Sequence, residues 1–240
     1  PIRVPENALL RKIRNILYKK ANYIIAQTEN NKEYFNNEKC VVINNPMDMD
    51  KYVGLVLNSS KQHKIVSVGR ITEQKNQLML IDAFNEIHKK YDDYKLYIYG
   101  EYSSYKEVLD ERINSLGLND YVLMPGSKKE ILEEIKDSEI FVLSSNFEGM
   151  PNALIEAMCI GLPVISTKVS GTSDLIADNE NGISIDVGNK DELVNYFDSK
   201  LEYENLIDSI DLSGKIYSRK RKIRNRIYTL FWMHEGLSKR

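Results

Sequence analysis

Short apolar runs alternate with helix-period patterns along most of the chain. Runs at 64–69 (Lys-Ile-Val-Ser-Val-Gly), 96–100, 121–124, 139–143, 163–166 and 182–185 are four to six residues long and read as buried strands. Between them, apolar positions recur at helical spacing over 76–90, 104–116, 128–137, 151–160 and 172–177. Strands that alternate with helices through short loops build parallel βαβ units. The pattern predicts an α/β fold, a parallel sheet with helices on both faces, over roughly 63–200.

The flanking stretches stand outside that run of units. Residues 1–45 predict a basic helix (6–20), a strand (23–27), a short helix and a strand (41–44), closed by Asn45-Pro46. So few strands do not bury a core alone. They either add to the main sheet or end another domain. Residues 46–62 read as a linker. The last 26 residues read as one basic helix with Ile216, Tyr217, Ile223, Ile227, Leu230 and Phe231 interleaved.

Composition narrows the classes. Of 240 residues, 42% are hydrophobic and 28% charged, which excludes disordered and fibrous chains. No apolar run reaches membrane-spanning length, and no signal-peptide core follows Pro1. Cys40 and Cys159 form no disulfide framework or zinc motif, and His63, His88 and His234 are scattered. The expectation is a cytoplasmic protein. The net charge of −2 conceals an asymmetry: residues 1–20 carry +5, residues 215–240 carry +8, and the body between is strongly acidic. Basic ends read either as two solvated helices or as a face for anions. An acidic body argues against nucleic acid.

Candidate chemistry gathers at strand ends, because an open parallel sheet binds ligands beyond the carboxyl ends of its strands. In residues 149–167 Glu156 is the only acidic side chain, on a helix that is apolar nearly all round. A carboxylate buried there needs partners, and ribose hydroxyls are suitable donors, as are backbone amides or a nearby Lys. Gly149-Met150-Pro151 opens the helix, with Pro151 expected at its first position, so its amides and dipole face the crevice. Glu148 precedes that turn, where it can accept from sugar hydroxyls or simply interact favourably with the helix dipole. At another strand end, Gly69 permits a tight turn, Arg70 projects from the tip, and Lys75 stands at the next helix start. Two cations facing a helix N-terminus suit a pyrophosphate.

Glu148 and Glu156, with seven residues between, resemble the E-x7-E signature of retaining glycosyltransferases of family 4. Val-Gly-Arg-Ile-Thr-Glu-Gln-Lys-Asn (68–76), Tyr-Gly (99–100), Gly-Leu-Pro-Val-Ile-Ser (161–166), Asp174-Leu-Ile and Asn181-Gly182 extend the resemblance over about 20–200. It implies the GT-B fold, two Rossmann-like domains across a cleft. Residues 1–45 would then be the tail of an acceptor domain largely missing from the chain, 63–200 the donor-binding domain, and 201–240 a basic helical segment. Carried over residue by residue, Arg70 and Lys75 hold the donor diphosphate, Glu148 lies near the sugar, and Glu156 takes the ribose. Gly69, Gly149, Met150, Pro151 and Asn152 line the pocket, and Gly126 and Ser127 stand where the base is held. Glu148, Arg70 and Lys75 are the catalytic candidates. Two loops depart from the pattern: Gly100 is followed by Glu-Tyr-Ser where a second glycine is usual, and Ser170-Gly171 replaces a Gly-Gly pair.

The resemblance implies hexosyl or N-acetylhexosaminyl transfer with retention, from a nucleotide-diphosphate sugar (a UDP-sugar is expected), to a sugar or lipid-linked acceptor in surface polysaccharide or glycolipid synthesis. A nucleotide-sugar-binding module without catalysis is the alternative. A phosphorylase would need a pyridoxal-phosphate lysine context, which is not found. No metal or cofactor is expected, since Asp48-Met-Asp50 follows Asn44-Asn45-Pro46 in a linker. The basic ends suggest a peripheral contact with anionic membrane, at the inner face of the plasma membrane.

Overall fold

The computed structural model describes residues 7–35, 38–46, 52, 62–177 and 180–208. Six strands, β3 (Lys64–Val68), β4 (Lys95–Tyr99), β5 (Val122–Gly126), β6 (Ile140–Leu143), β7 (Val164–Thr167) and β8 (Ile183–Ile185), form one sheet in the order β5-β4-β3-β6-β7-β8. Every neighbouring pair is parallel. The connecting helices are α3 (Gln77–His88), α4 (Tyr105–Leu116), α5 (Ile131–Ile135), α6 (Asn152–Cys159) and α7 (Thr172–Leu175), with α8 (Lys190–Asp208) following β8.

Strands covered on both faces carry continuous apolar runs. All four residues of β6 are buried, and their alternation divides them between two cores. Ile140 and Val142 join Ile65, Ile98, Phe84 of α3, Leu109 of α4, and Leu193 and Phe197 of α8 on one face. Phe141 and Leu143 join Val66, Tyr99, and Leu154, Ile155 and Met158 of α6 on the other.

Several elements differ from the sequence reading. The helix expected at 128–137 contracts to α5, because Ser127 to Glu130 are exposed. The one expected at 76–90 begins at Gln77, after a 3-10 turn at Glu73–Lys75 and a left-handed Asn76 (φ 49°). Helix α8 runs through position 200. It is started by Asn189, whose Oδ1 accepts from the Glu192 N–H at 3.0 Å while Glu192 accepts from Asn189 Nδ2 at 3.2 Å.

The first segment comprises α1 (Ala8–Lys20), β1 (Ile24–Ala26), α2 (Glu29–Phe35) and β2 (Cys40–Val42). Strands β1 and β2 pair with each other in parallel and do not join the six-stranded sheet. Ile24, Ala26 and Cys40 form a small core of their own. Of residues 46–62 only Pro46, Tyr52 and Gln62 are described; Tyr52 packs against the α6 face. The basic helix expected over the last 26 residues lies outside the described residues. No helix among the described residues is long and apolar enough to cross a membrane.

Candidate functional site

The strand order reverses between β3 and β6: successive strands run outward from β3 in one direction and from β6 in the other. The crevice outside the carboxyl ends of those two strands is where such sheets bind ligands. Gly69, Arg70 and Lys75 follow β3, and Glu148 to Asn152 follow β6, so topology brings the two candidate clusters to the same crevice.

Their side chains meet. Lys75 Nζ donates to Glu148 Oε1 at 2.5 Å, and Ser145 Oγ donates to the same oxygen at 2.6 Å. The two charged side chains are 18% and 9% exposed, so water screens this pair far less than a surface ion pair. Gly69 makes room for it: a Cβ there would stand 2.9 Å from Lys75 Cε and displace the lysine stem. Lys75 is therefore not a bare cation against a helix dipole, as its position in sequence implies; its charge is directed across the crevice.

The loops bearing these groups are stitched together. Ser144 Oγ donates to the Lys75 carbonyl (2.9 Å), the Asn146 N–H to the Gln74 carbonyl (2.8 Å), and Gln74 Nε2 to the Phe147 carbonyl (2.9 Å). Asn76 Nδ2 donates to Asn146 Oδ1 at 3.1 Å, and Thr167 Oγ1 donates to the Ser145 carbonyl at 2.7 Å. On the β3 side, buried Gln77 donates to the Arg70 carbonyl at 2.9 Å. The Arg70 side chain is exposed, and no ion pair engages it among the described residues. Such stitching holds the polar groups in position before any ligand arrives, which is the condition for electrostatic stabilisation without reorganisation.

Helix α6 starts at Asn152, with Pro151 as its N-cap residue and not its first helical residue. In its first turn the Leu154 N–H already donates to the Pro151 carbonyl at 3.1 Å, which leaves the Asn152 and Ala153 amides without an intrahelical acceptor at the end of the helix that follows β6. Glu156 is half-buried, which corrects the expectation of a carboxylate sealed inside an apolar helix. Its charge is felt one turn on: burial first and then Glu156 push the Cys159 thiol up to about 12, leaving an unreactive cysteine. Gly126 closes β5 with φ +78°, and Ser127 beside it is exposed. These two stand at the far end of the crevice from Glu148, separated from it by β4 and β3.

The tips of β3, β4 and β5 are joined by backbone bonds: Gly69 N–H to the Tyr99 carbonyl (2.8 Å), Ile71 N–H to the Glu101 carbonyl (2.9 Å) and Gly100 N–H to the Gly126 carbonyl (3.1 Å). The approach is close enough that a Cβ on Gly100 would lie 1.9 Å from the Gly69 carbonyl oxygen, so only glycine fits there.

The first segment reaches the same crevice, a contact that sequence reasoning missed. Thr28 Oγ1 and Ser170 Oγ are 3.0 Å apart, Asn45 Nδ2 donates to Asn152 Oδ1 at 2.8 Å, and Gln27 Nε2 donates to Asn45 Oδ1 at 2.6 Å. The departure at Ser170 thus places a hydroxyl against Thr28, the residue that precedes α2. The glycine kept beside it, Gly171 (φ +81°), has no room for a Cβ, which would lie 2.2 Å from the Gly149 carbonyl oxygen. Ser145 was also missed; the Ser-x-x-Glu spacing to Glu148 is the signal that could have found it. Among the described residues no three His, Cys, Asp or Glu side chains gather as metal ligands; Asp48 and Asp50 lie outside those residues.

A family model described as glycosyl transferases group 1 matches residues 48–215. The chain belongs to that family. Within it, the uncharacterized glycosyltransferase MJ1059 of Methanocaldococcus jannaschii is 37% identical over 165 residues, covering 62% of this chain and 40% of that protein. A Campylobacter jejuni protein, N-acetylgalactosamine-N,N'-diacetylbacillosaminyl-diphospho-undecaprenol 4-alpha-N-acetylgalactosaminyltransferase, is 29% identical over 232 residues, covering 92% of this chain and 60% of its own length. The chain therefore spans about half the length of these curated relatives. Among solved structures, Anabaena HepE in complex with UDP and glucose superposes with a TM-score of 0.77 at 20% identity, over 95% of this chain and 66% of that one. Sucrose-phosphate synthase from Thermosynechococcus elongatus gives 0.80 at 17% identity, over 100% and 62%. The group 1 chain thus has the α/β architecture of GT-B glycosyltransferases.

Proposed function

We propose that this group 1 chain carries the donor site of a retaining glycosyltransferase that takes a nucleotide-diphosphate sugar, a UDP-sugar in the first instance, and transfers a hexosyl or N-acetylhexosaminyl unit to a saccharide or lipid-linked acceptor in surface polysaccharide or glycolipid synthesis. The observation that carries the reading is the Lys75–Glu148 pair at the strand-order reversal, facing the first turn of α6. Arg70, Lys75 and the α6 amides supply positive potential for a diphosphate whose charge grows as the sugar departs. Glu148 Oε1 is committed to Lys75 and Ser145. Its other oxygen faces the sugar as a hydrogen-bond acceptor, and no enzyme nucleophile is assigned. Glu156 accepts from the ribose, Gly149 to Asn152 line the sugar and phosphate pocket, and Gly126 and Ser127 border the base. The activity needs no metal or cofactor.

Calorimetric titration of the chain with UDP, GDP and ADP tests this. The expected outcome is selective binding of UDP; absence of binding by all three removes the donor-site reading. A nucleotide-sugar-binding module without catalysis is the second reading. Binding of a UDP-sugar with no release of UDP in the presence of acceptor would select it.

The reading includes a peripheral contact with anionic membrane at the inner face of the plasma membrane. Supporting it, α1 exposes Leu9, Leu10, Ile13, Ile16 and Leu17 on a helix that also carries Arg11, Lys12, Lys19 and Lys20. Flotation with phosphatidylglycerol vesicles is expected to recover the chain, and charge reversal at Lys19 and Lys20 to reduce recovery. Equal recovery on neutral vesicles would end the idea.

A further inference from the structure

We propose that Tyr102 forms an aromatic wall of the nucleobase pocket, a specificity-determining contact resting on the donor-site reading above. Tyr102 occupies the loop after β4 where the chain departs from a glycine. The ring is anchored at one end: its hydroxyl donates to the Met124 carbonyl at 2.5 Å, at the register shift between β4 and β5. Gly126 lies against the same end, so close that an added Cβ would come within 3.4 Å of the Tyr102 oxygen. Lys106 approaches the ring at 5.3 Å from its centroid. The loop is also pinned toward β3, because Ser103 Oγ donates to the Ile71 carbonyl. Despite these ties Tyr102 remains 48% exposed. A rigid, half-exposed ring at the carboxyl end of a parallel sheet is a poor solvent-facing residue and a good stacking surface.

The direction of the nucleotide follows from what already fills the crevice. With its diphosphate between Arg70, Lys75 and α6, the nucleoside can extend toward β7 or toward β5. On the β7 side Gly171 is packed against Gly149, Pro151 and Thr28, and Thr28 meets Ser170. On the β5 side the loop residues Glu101 to Ser104 and Ser127 to Glu130 are exposed. The base therefore lies toward β5, where Tyr102 is the aromatic side chain beside Gly126. Every base has a π-face, and stacking on an aromatic ring is a principal source of base affinity.

Titration of wild type, Tyr102→Ala, Tyr102→Phe and Arg70→Ala with UDP and with inorganic pyrophosphate tests the assignment. Tyr102→Ala is expected to weaken UDP roughly tenfold or more while leaving pyrophosphate unchanged. Tyr102→Phe, which keeps the ring and loses the bond to Met124, is expected to stay within about threefold of wild type for UDP. Equal UDP affinity in wild type and Tyr102→Ala overturns the inference, and so does an equal loss for both ligands, which would mark a loop held in shape by the tyrosine. If Arg70→Ala still weakens UDP in either case, the donor site stands without Tyr102. If Arg70→Ala changes nothing, the donor-site reading itself fails.

Discussion

Lys75→Ala is expected to weaken nucleoside diphosphate binding by roughly a thousandfold, and Arg70→Ala by roughly a hundredfold, with uridine binding changed little by either. The difference comes from Glu148. Loss of a charge-assisted contact to phosphate costs about 1.5–3 kcal/mol, or about one to two powers of ten in affinity. Arg70 is exposed, and its removal costs no more than that. Removing Lys75 also leaves Glu148, 9% exposed and bonded through Ser145, as an uncompensated anion beside the diphosphate. The double variant Lys75→Ala, Glu148→Gln removes that repulsion and is expected to recover about tenfold. Calorimetry with UDP and uridine on the four proteins checks all three statements. A double variant no better than Lys75→Ala would mean that Glu148 does not face the diphosphate. Equal losses for UDP and uridine would mean that Lys75 acts through the fold.

How much of this could be read from residues alone depended on range. The alternation of apolar runs and helical patterns is local, and it located all six strands of the main sheet within a residue or two. Glu148, Glu156, Arg70 and Lys75 stand at distinctive spacings in short stretches, and the strand order then brings two of those stretches to one crevice. The Lys75–Glu148 bond joins residues 73 positions apart, so no local pattern encodes it. The same is true of Thr28 with Ser170 and of Asn45 with Asn152, which tie the first segment to the crevice across more than a hundred residues. Local patterns also misjudged degree. Residues 152–159 are apolar enough to suggest burial on every side, yet Asn152 is exposed and Ala153 and Glu156 are half-buried. Helix α8 was overlooked although Asn189 and Glu192 carry a capping signal and Leu193 and Phe197 share one face, because its acidic length from 198 to 208 dilutes the apolar stripe.

The two departures from the family pattern show the same division. A tyrosine after Gly100 and a serine before Gly171 read locally as loop irregularities. In the fold each puts, in place of a glycine's hydrogen atom, a side chain whose hydroxyl finds a partner elsewhere in the chain: the Met124 carbonyl for Tyr102, Thr28 for Ser170. Gly100 and Gly171, which are retained, are the positions where backbone carbonyls at 1.9 and 2.2 Å leave no space for a Cβ. Steric necessity holds the two glycines, and no such constraint falls on Tyr102 and Ser170 beside them.

Glu148→Gln is expected to move binding and turnover in opposite directions. In the unliganded site the glutamate neutralises Lys75 across 2.5 Å. A diphosphate must compete with that carboxylate for the lysine, so its replacement by an isosteric amide leaves more of the lysine's charge for the ligand. At an effective dielectric near 20, a carboxylate charge some 6–8 Å from one phosphate charge repels it by about 2–3 kcal/mol, an upper bound that salt screening lowers, so UDP binding is expected to strengthen by at least about tenfold. Glutamine can still accept from Ser145 and Lys75, so the loop geometry stays. What it lacks is the negative charge facing the sugar, which matters most as the sugar becomes cationic in the transition state. Release of UDP from the UDP-sugar is therefore expected to slow by about 10²–10³-fold, the range found when one preorganised electrostatic contact is lost. Calorimetry and a coupled assay for UDP on the same preparation read both quantities. Tighter UDP binding with turnover unchanged would assign Glu148 to the lysine alone. Loss of both together would make it a structural residue of the loop. Only the divergence of the two places its carboxylate against the reacting sugar.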